Sequence, residues 1–259
     1  MIPEAIALIF MAICGLCVGS FLNVVIARIP EGRSIVFPGS ACPRCGKPIT
    51  WCDNLPVVSY AFLRGRCRNC RESISWRYPA VEIACGLLFM LAYRRFETGT
   101  ALASALILLA GLVAITAIDL DHQIIPDVLS LPGIALGVLF SLVPGGIGWA
   151  PSLLGVLLGG GLFVVIIVAS TRVLGQAGMG VGDVKLGAML GAFLGWKLAL
   201  MSILLSTLLG GPLAAILLVT GRKSRKDPIP FGPFLALGGF ISLFWGEALL
   251  AWYFAQFQS

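Results

Sequence analysis

Apolar runs close to twenty residues long recur from one end of the chain to the other, broken by only a few polar segments. A helix needs about 20 consecutive apolar residues to cross a bilayer core. In lipid every backbone N–H and C=O must be satisfied within its own segment, which a helix achieves and an irregular chain does not. The composition points the same way. Hydrophobic residues make up 58% of the 259 and charged residues 12%, against about 25% charged in soluble domains. The chain cannot clothe a soluble globule, and an all-α polytopic membrane protein is expected.

The runs predict about eight transmembrane helices, at 5–27, 80–94, 100–118, 127–144, 152–173, 184–196, 198–220 and 232–255; the second and sixth are short for a full crossing. The first reads as a retained transmembrane helix and not as a cleavable signal. Glu4 is the only charge before it, its apolar core is long, and no small-x-small site follows. The polar segment 28–79, rich in Arg, Pro and Cys, is the one candidate for a soluble domain, which leaves 80–259 as the membrane domain. No internal repeat is visible.

Placing 28–79 in the cytoplasm puts its basic residues, Arg172, Lys185 and the Arg222, Lys223, Arg225, Lys226 cluster on that side. Of the 18 Lys and Arg, only Arg94, Arg95 and Lys197 then lie opposite. Short basic loops favour the cytoplasm, so both termini are expected outside it. The net charge of +6 is accounted for by loops that orient helices and touch anionic lipid headgroups, and no nucleic-acid partner is expected.

Asp119, Asp121, Asp127 and Asp183 fall at the edges of apolar spans, where a carboxylate needs a reason to stand. Each taken singly reads equally well as an interfacial cap. Topology singles out two of them. Asp119 ends the third predicted helix and Asp183 opens the sixth, two crossings later, so both emerge on one side of the membrane. Two carboxyls brought together share a proton and titrate as a unit. One can take a proton from water while the other protonates a scissile carbonyl oxygen. Asp121 stands about 200° around a helix from Asp119 and, with His122, fits a solvated end-cap. Asp127 follows Pro126 in a helix's first turn, where a negative charge suits the macrodipole. Gly178, Gly180 and Gly182 precede Asp183 and leave a backbone free to take positive φ or to admit an extended peptide; a flexible connector is the plainer reading. Lys185 is expected to snorkel towards the interface.

Cys14, Cys17 and Cys85 lie within apolar spans and Cys52 stands alone. Cys42-Pro-Arg-Cys45 and Cys67-Arg-Asn-Cys70 form two C-x2-C knuckles separated by 21 residues. That spacing suits a tetrahedral Zn²⁺ held by four thiolates, a closed and therefore structural site. Two disulfides are the alternative, but they require an oxidising compartment.

These elements together resemble the type IV prepilin peptidase family of bifunctional leader peptidases and N-methyltransferases. The resemblance runs through Gly19-Ser-Phe-Leu-Asn-Val-Val25 to Arg28-Ile-Pro30, the two knuckles, Asp53-Asn-Leu-Pro56 with Ser59, and Arg77-Tyr-Pro79 with Glu82. It continues in Ile118-Asp119, Ile125-Pro-Asp127, Gly180-Val-Gly-Asp-Val-Lys185 and Pro230-Phe-Gly-Pro-Phe234. It departs at Cys52, where an aromatic residue is usual, and at Val181, where a third glycine is common. The resemblance implies that Asp119 and Asp183 are catalytic in a bacterial inner-membrane enzyme. It implies that the substrates are prepilins or pseudopilins, cut after a Gly between a basic leader and an apolar helix. It further implies that the new N-terminus is methylated from S-adenosylmethionine. On this reading the extended cleavage segment rests against the backbone of Gly178, Gly180 and Gly182. Asp53, Asn54 and Glu82 are available for polar contacts in the second activity, though packing and capping account for them equally.

Two other classes compete. A proton- or cation-coupled transporter also carries intramembrane acids, but near the bilayer midplane and commonly with inverted repeats. A scaffold that docks a partner through its zinc domain gives the two aspartates no task.

Overall fold

A computed structural model of the chain describes residues 3–175, 179–220 and 230–256. It divides into two compact units, Met1–Glu97 and Thr98–Ser259. Among the described residues helices carry the fold and no strand forms; the only ladder-like contacts are isolated antiparallel bridges at Ala41–Pro48 and Arg66–Ser73.

The first unit holds α1 (Glu4–Arg28), a 3-10 turn (Trp51–Asn54), α2 (Val58–Phe62) and α3 (Arg77–Phe96). Small residues bring α1 and α3 together. A Cβ on Gly15 would stand 2.5 Å from the Cys85 carbonyl oxygen, and one on Gly19 would stand 2.6 Å from the Glu82 Cα. Such close backbone approach is how helices associate where lipid offers no hydrophobic drive. α3 begins at Arg77, three residues before the apolar run at 80, because Pro79 is tolerated in a first turn where its missing N–H is no loss.

The second unit contains α4 (Thr100–His122), α5 (Asp127–Leu142), α6 (Trp149–Leu174), α7 (Val181–Val219) and α8 (Gly232–Ala255). α7 is central and packs on α5, α6 and α8, while α4 lies against α8 and α5. Leu108, Leu112, Ile115, Phe163, Leu186, Leu190 and Leu235 form the core. Gly155 and Gly159 on α6 face Gly191 and Gly187 on α7, so closely that a Cβ on any of them would collide with the opposite chain. α7 is two helical stretches joined at Gly195, whose φ of 76° and ψ of 169° leave the helical region. The buried Ser152 hydroxyl donates to the Ala192 carbonyl beside this break, at 2.8 Å.

By length and composition five helices can cross a membrane: Glu4–Arg28, Thr100–His122, Trp149–Val173, Val181–Leu217 and Gly232–Ala255. With α3, the 16-residue α5 and the two stretches of α7 counted separately, the long described helices number the eight that the apolar runs predict. Several boundaries differ: α3, α6 and α7 each begin three residues earlier than expected. α4 runs one turn past 118 to His122, and the break in α7 falls at Gly195, not at the charge of Lys197.

Candidate active site

Within the second unit, the end of α4, the start of α7 and the start of α8 enclose a cavity of about 380 Å³. Asp119 and Asp183 both line it, along with Gln123, Ile125, Gly180 and Phe231. Asp119 is 5% exposed and Asp183 8%.

Asp183 owes its place to the way α7 begins. Gly180 precedes the first helical residue, Val181, which makes Asp183 the third position of the helix. From there its Oδ2 accepts the Gly180 N–H at 3.2 Å, and its own N–H donates to the Gly180 carbonyl at 3.1 Å. This is the acid half of a capping box, in which the third residue reaches back to satisfy the donor at the helix start. Gly182 packs on the loop after α4: a Cβ there would stand 2.9 Å from that of Ile125. Gly178, the remaining glycine of the predicted set, lies outside the described residues.

Asp119 sits in the last turn of α4, on its buried side, and its Oδ2 accepts the backbone N–H of Gly232 at 3.0 Å. A Cβ at 232 would lie 2.6 Å from that same oxygen. Sequence reasoning noted Gly232 only inside Pro-Phe-Gly-Pro-Phe and assigned it no task. The signal available was a glycine held between bulky and proline neighbours at the start of an apolar run.

The other acids go elsewhere. Asp121 and His122 are exposed at the end of α4, as the helical angle requires. Asp127 lies in the first turn of α5 without a cap hydrogen bond, and its carboxylate pairs with Lys185. Lys185 therefore does not simply reach for the interface; it lines the cavity wall.

Two carboxyls that each give one oxygen to a backbone N–H retain Oδ1 for chemistry; no hydrogen bond among the described residues engages it. Such a pair can share one proton and hold a water, the requirement for general acid–base hydrolysis.

In the first unit Cys42, Cys45, Cys67 and Cys70 gather with their sulfurs all within 4.8 Å of one another. Cys42 Sγ and Cys70 Sγ are 3.8 Å apart, the separation of about 3.8 Å expected of two thiolates at tetrahedral Zn–S distances. The cysteines are unpaired thiols, not disulfides. Both knuckles fold alike: Cys42 N–H donates to the Lys47 carbonyl and Cys67 N–H to the Glu72 carbonyl, at 3.0 and 2.8 Å. Backbone N–H donation from Cys45 and Arg44 draws the Cys42 thiol down to about 6. The Glu72 N–H pulls the Cys70 thiol down, but desolvation and its three sulfur neighbours together outweigh it and push the thiol up to about 11. Four sulfurs this close can all be thiolates only around a cation, so the donor set fits a metal. Cys52 is exposed and outside the cluster.

Asp53 braces this cluster. Its carboxylate takes Arg68 Nε at 2.8 Å and Nη2 at 2.6 Å, gripping the second knuckle from the 3-10 turn. That bond holds Asp53 below the usual carboxylate range. Asn54 is exposed, and the buried Glu82 accepts the Val57 N–H at 2.7 Å.

Comparison with known proteins covers nearly the whole chain. The sequence profile described as "Bacterial Peptidase A24 N-terminal domain" matches residues 13–96, and that of the "Type IV leader peptidase family" matches 106–215. A prepilin leader peptidase/N-methyltransferase of Aeromonas hydrophila is 39% identical, over 93% of this chain and 92% of the relative. The protein of that name in Pseudomonas aeruginosa is 39% identical over 94% and 93%. The Myxococcus xanthus protein is 44% identical over 84% and 65%. No solved structure matches.

Proposed function

The chain belongs to the type IV leader peptidase family, and from that premise we propose that Asp119 and Asp183 cut the leader from prepilins or pseudopilins. The observation that carries the reading is the meeting of two buried carboxyls, 64 positions apart in sequence, in one cavity at the ends of their helices. A transporter expects such acids near the middle of a span; these stand in the last turn of α4 and the first turn of α7.

In the proposed reaction one carboxylate takes a proton from the water held between the pair. The water oxygen bonds to the carbonyl carbon of the leader's final Gly, while the other carboxyl protonates that carbonyl's oxygen. The tetrahedral diol then collapses, the C–N bond breaks, and the departing amine takes up the proton. The substrate's apolar helix lies among the membrane helices, and its extended cleavage segment rests against the backbone of Gly178, Gly180 and Gly182. The freed N-terminus is then methylated, with S-adenosylmethionine as donor. Cys42, Cys45, Cys67 and Cys70 hold a structural Zn²⁺, whose closed sphere leaves no place for substrate. The distribution of Lys and Arg in the sequence supports a cytoplasmic placement for the zinc segment and the cavity mouth, in a multi-pass protein of the bacterial inner membrane.

The test uses the purified full-length protein in nanodiscs, a prepilin and labelled S-adenosylmethionine, with leader loss and methyl incorporation scored separately. Asp119→Asn and Asp183→Asn should each abolish leader loss while the protein still inserts. Normal cleavage by either variant removes the dyad from the reaction.

A further inference from the structure

The geometry points to Gly232 as a positioning residue for hydrolysis: its backbone N–H fixes the Asp119 carboxyl, and only glycine leaves room for that bond. The inference rests on the assignment of Asp119 to the cleavage step.

Its first support is the way α8 begins. The opening N–H groups of a helix have no carbonyl partner in their own helix. At the start of α8, Pro233 has no N–H to offer, and the Phe234 N–H turns back to the Phe231 carbonyl at 3.0 Å. Gly232 is thus the helix-start donor aimed outward, and its N–H meets Asp119 Oδ2 at 3.0 Å across 113 residues of sequence. One oxygen of the carboxyl is thereby tied, in a side chain that lines the cavity.

The second support is what surrounds the missing side chain. The three atoms nearest to a Cβ at 232 are Asp119 Oδ2 at 2.6 Å, Cγ at 3.1 Å and Cβ at 3.4 Å. All belong to one side chain and none to a backbone. A methyl group here is accommodated by turning Asp119 aside and leaves the helices where they are. At Gly191, by contrast, the nearest atoms are the backbone of Gly155 and Val156, and a side chain must push α6 and α7 apart. Substitution at 232 therefore falls on the reacting carboxyl and spares the fold.

The experiment measures kcat, KM and the unfolding midpoint of full-length Gly232→Ala in nanodiscs with a prepilin substrate, beside Asp119→Asn. Displacing a reacting group by about 1 Å costs on the order of 100-fold, so kcat should fall by about that factor, with KM and the midpoint unchanged. A wild-type kcat, or a loss carried wholly by KM, overturns the inference. Should Gly232→Ala fail to accumulate, glycolic acid installed at 232 removes the N–H without adding a side chain. A kcat reduced at least tenfold then supports the role, and an unchanged kcat overturns it. If Asp119→Asn itself cleaves normally, the hydrolytic reading falls and this inference with it. If Asp119→Asn is inactive and both 232 variants are normal, only the positioning role falls.

Discussion

The Lys185 ammonium pairs with the Asp127 carboxylate and so joins the second turn of α7 to the first turn of α5. Gln123, Ile124 and Ile125, in the connection that leads into α5, form one wall of the cavity. Lys185 is 27% exposed at its side chain and Asp127 56%. The cation thus sits on the cavity wall, while the acid is the more exposed partner and is not among the lining residues. The pairing takes the third acid of the neighbourhood out of competition with Asp119 and Asp183.

Asp127→Asn should accordingly be a mild change. An exposed ion pair is worth up to about 1 kcal/mol, so kcat/KM should stay within about fivefold of the wild type. Asp119→Asn in a parallel preparation should lose at least about 100-fold, the minimum for removing a general acid or base. Kinetics that place Asp127→Asn beside Asp119→Asn would mean that a third carboxyl participates.

Metal content provides an independent check on the first unit. One zinc per chain should be found by elemental analysis, and Cys42→Ser or Cys67→Ser should lower it. Stripping the metal with a chelator should open 28–79 to protease, since a small segment with few buried apolar side chains draws its folding energy from the ion. Asp53→Ala should release zinc faster, because Arg68 in the second knuckle loses its bidentate partner. Full protease resistance without metal would show that the knuckles fold unaided.

What could be read from sequence was whatever follows from periodicity and side-chain chemistry. The helices were legible from apolar run length, Asp119 facing inward and Asp121 outward from the helical angle, and the Cys42, Cys45, Cys67, Cys70 grouping from spacing. Boundaries shifted where backbone capacity mattered more than polarity. α4 carries Asp119 and Asp121 within it because both still have helical partners, and α7 breaks at a glycine able to take φ 76°. The Gly232 N–H escaped notice because a backbone donor leaves no mark in residue chemistry. The Lys185–Asp127 pair escaped because its members are 58 residues apart and each has a sufficient local explanation.

The seam between α6 and α7 predicts a sharp contrast among glycines. Gly191→Val would drive a side chain into the Gly155 backbone, and overpacking of this kind costs about 1–3 kcal/mol or more. Gly161 on α6 has nothing within 4 Å of a Cβ, so Gly161→Ala should be neutral or stabilise by up to about 1 kcal/mol. Thermal unfolding of both variants in the same detergent decides it. Equal midpoints would mean that the helices do not meet at this seam.

Val57 holds a conformation that its side chain resists. Its φ is 61° and ψ −45°, and Val58 N–H bonds to the Pro56 carbonyl at 2.5 Å, closing a γ-turn of the rare, strained kind. A β-branched residue is costly in such a turn. What holds it is Glu82, whose Oε2 takes the Val57 N–H at 2.7 Å from a buried position on α3. Val57→Gly should relieve about 1–3 kcal/mol of strain and give back about 0.5–1 kcal/mol in glycine's added chain entropy. The variant should therefore unfold at or slightly above the wild-type temperature. Glu82→Leu strands the N–H, a loss of about 1–3 kcal/mol, and should unfold lower. In the double variant the turn no longer needs its anchor, so Glu82→Leu should cost less on the Val57→Gly background than alone. Equal costs on the two backgrounds would show that Glu82 does not hold the strained turn.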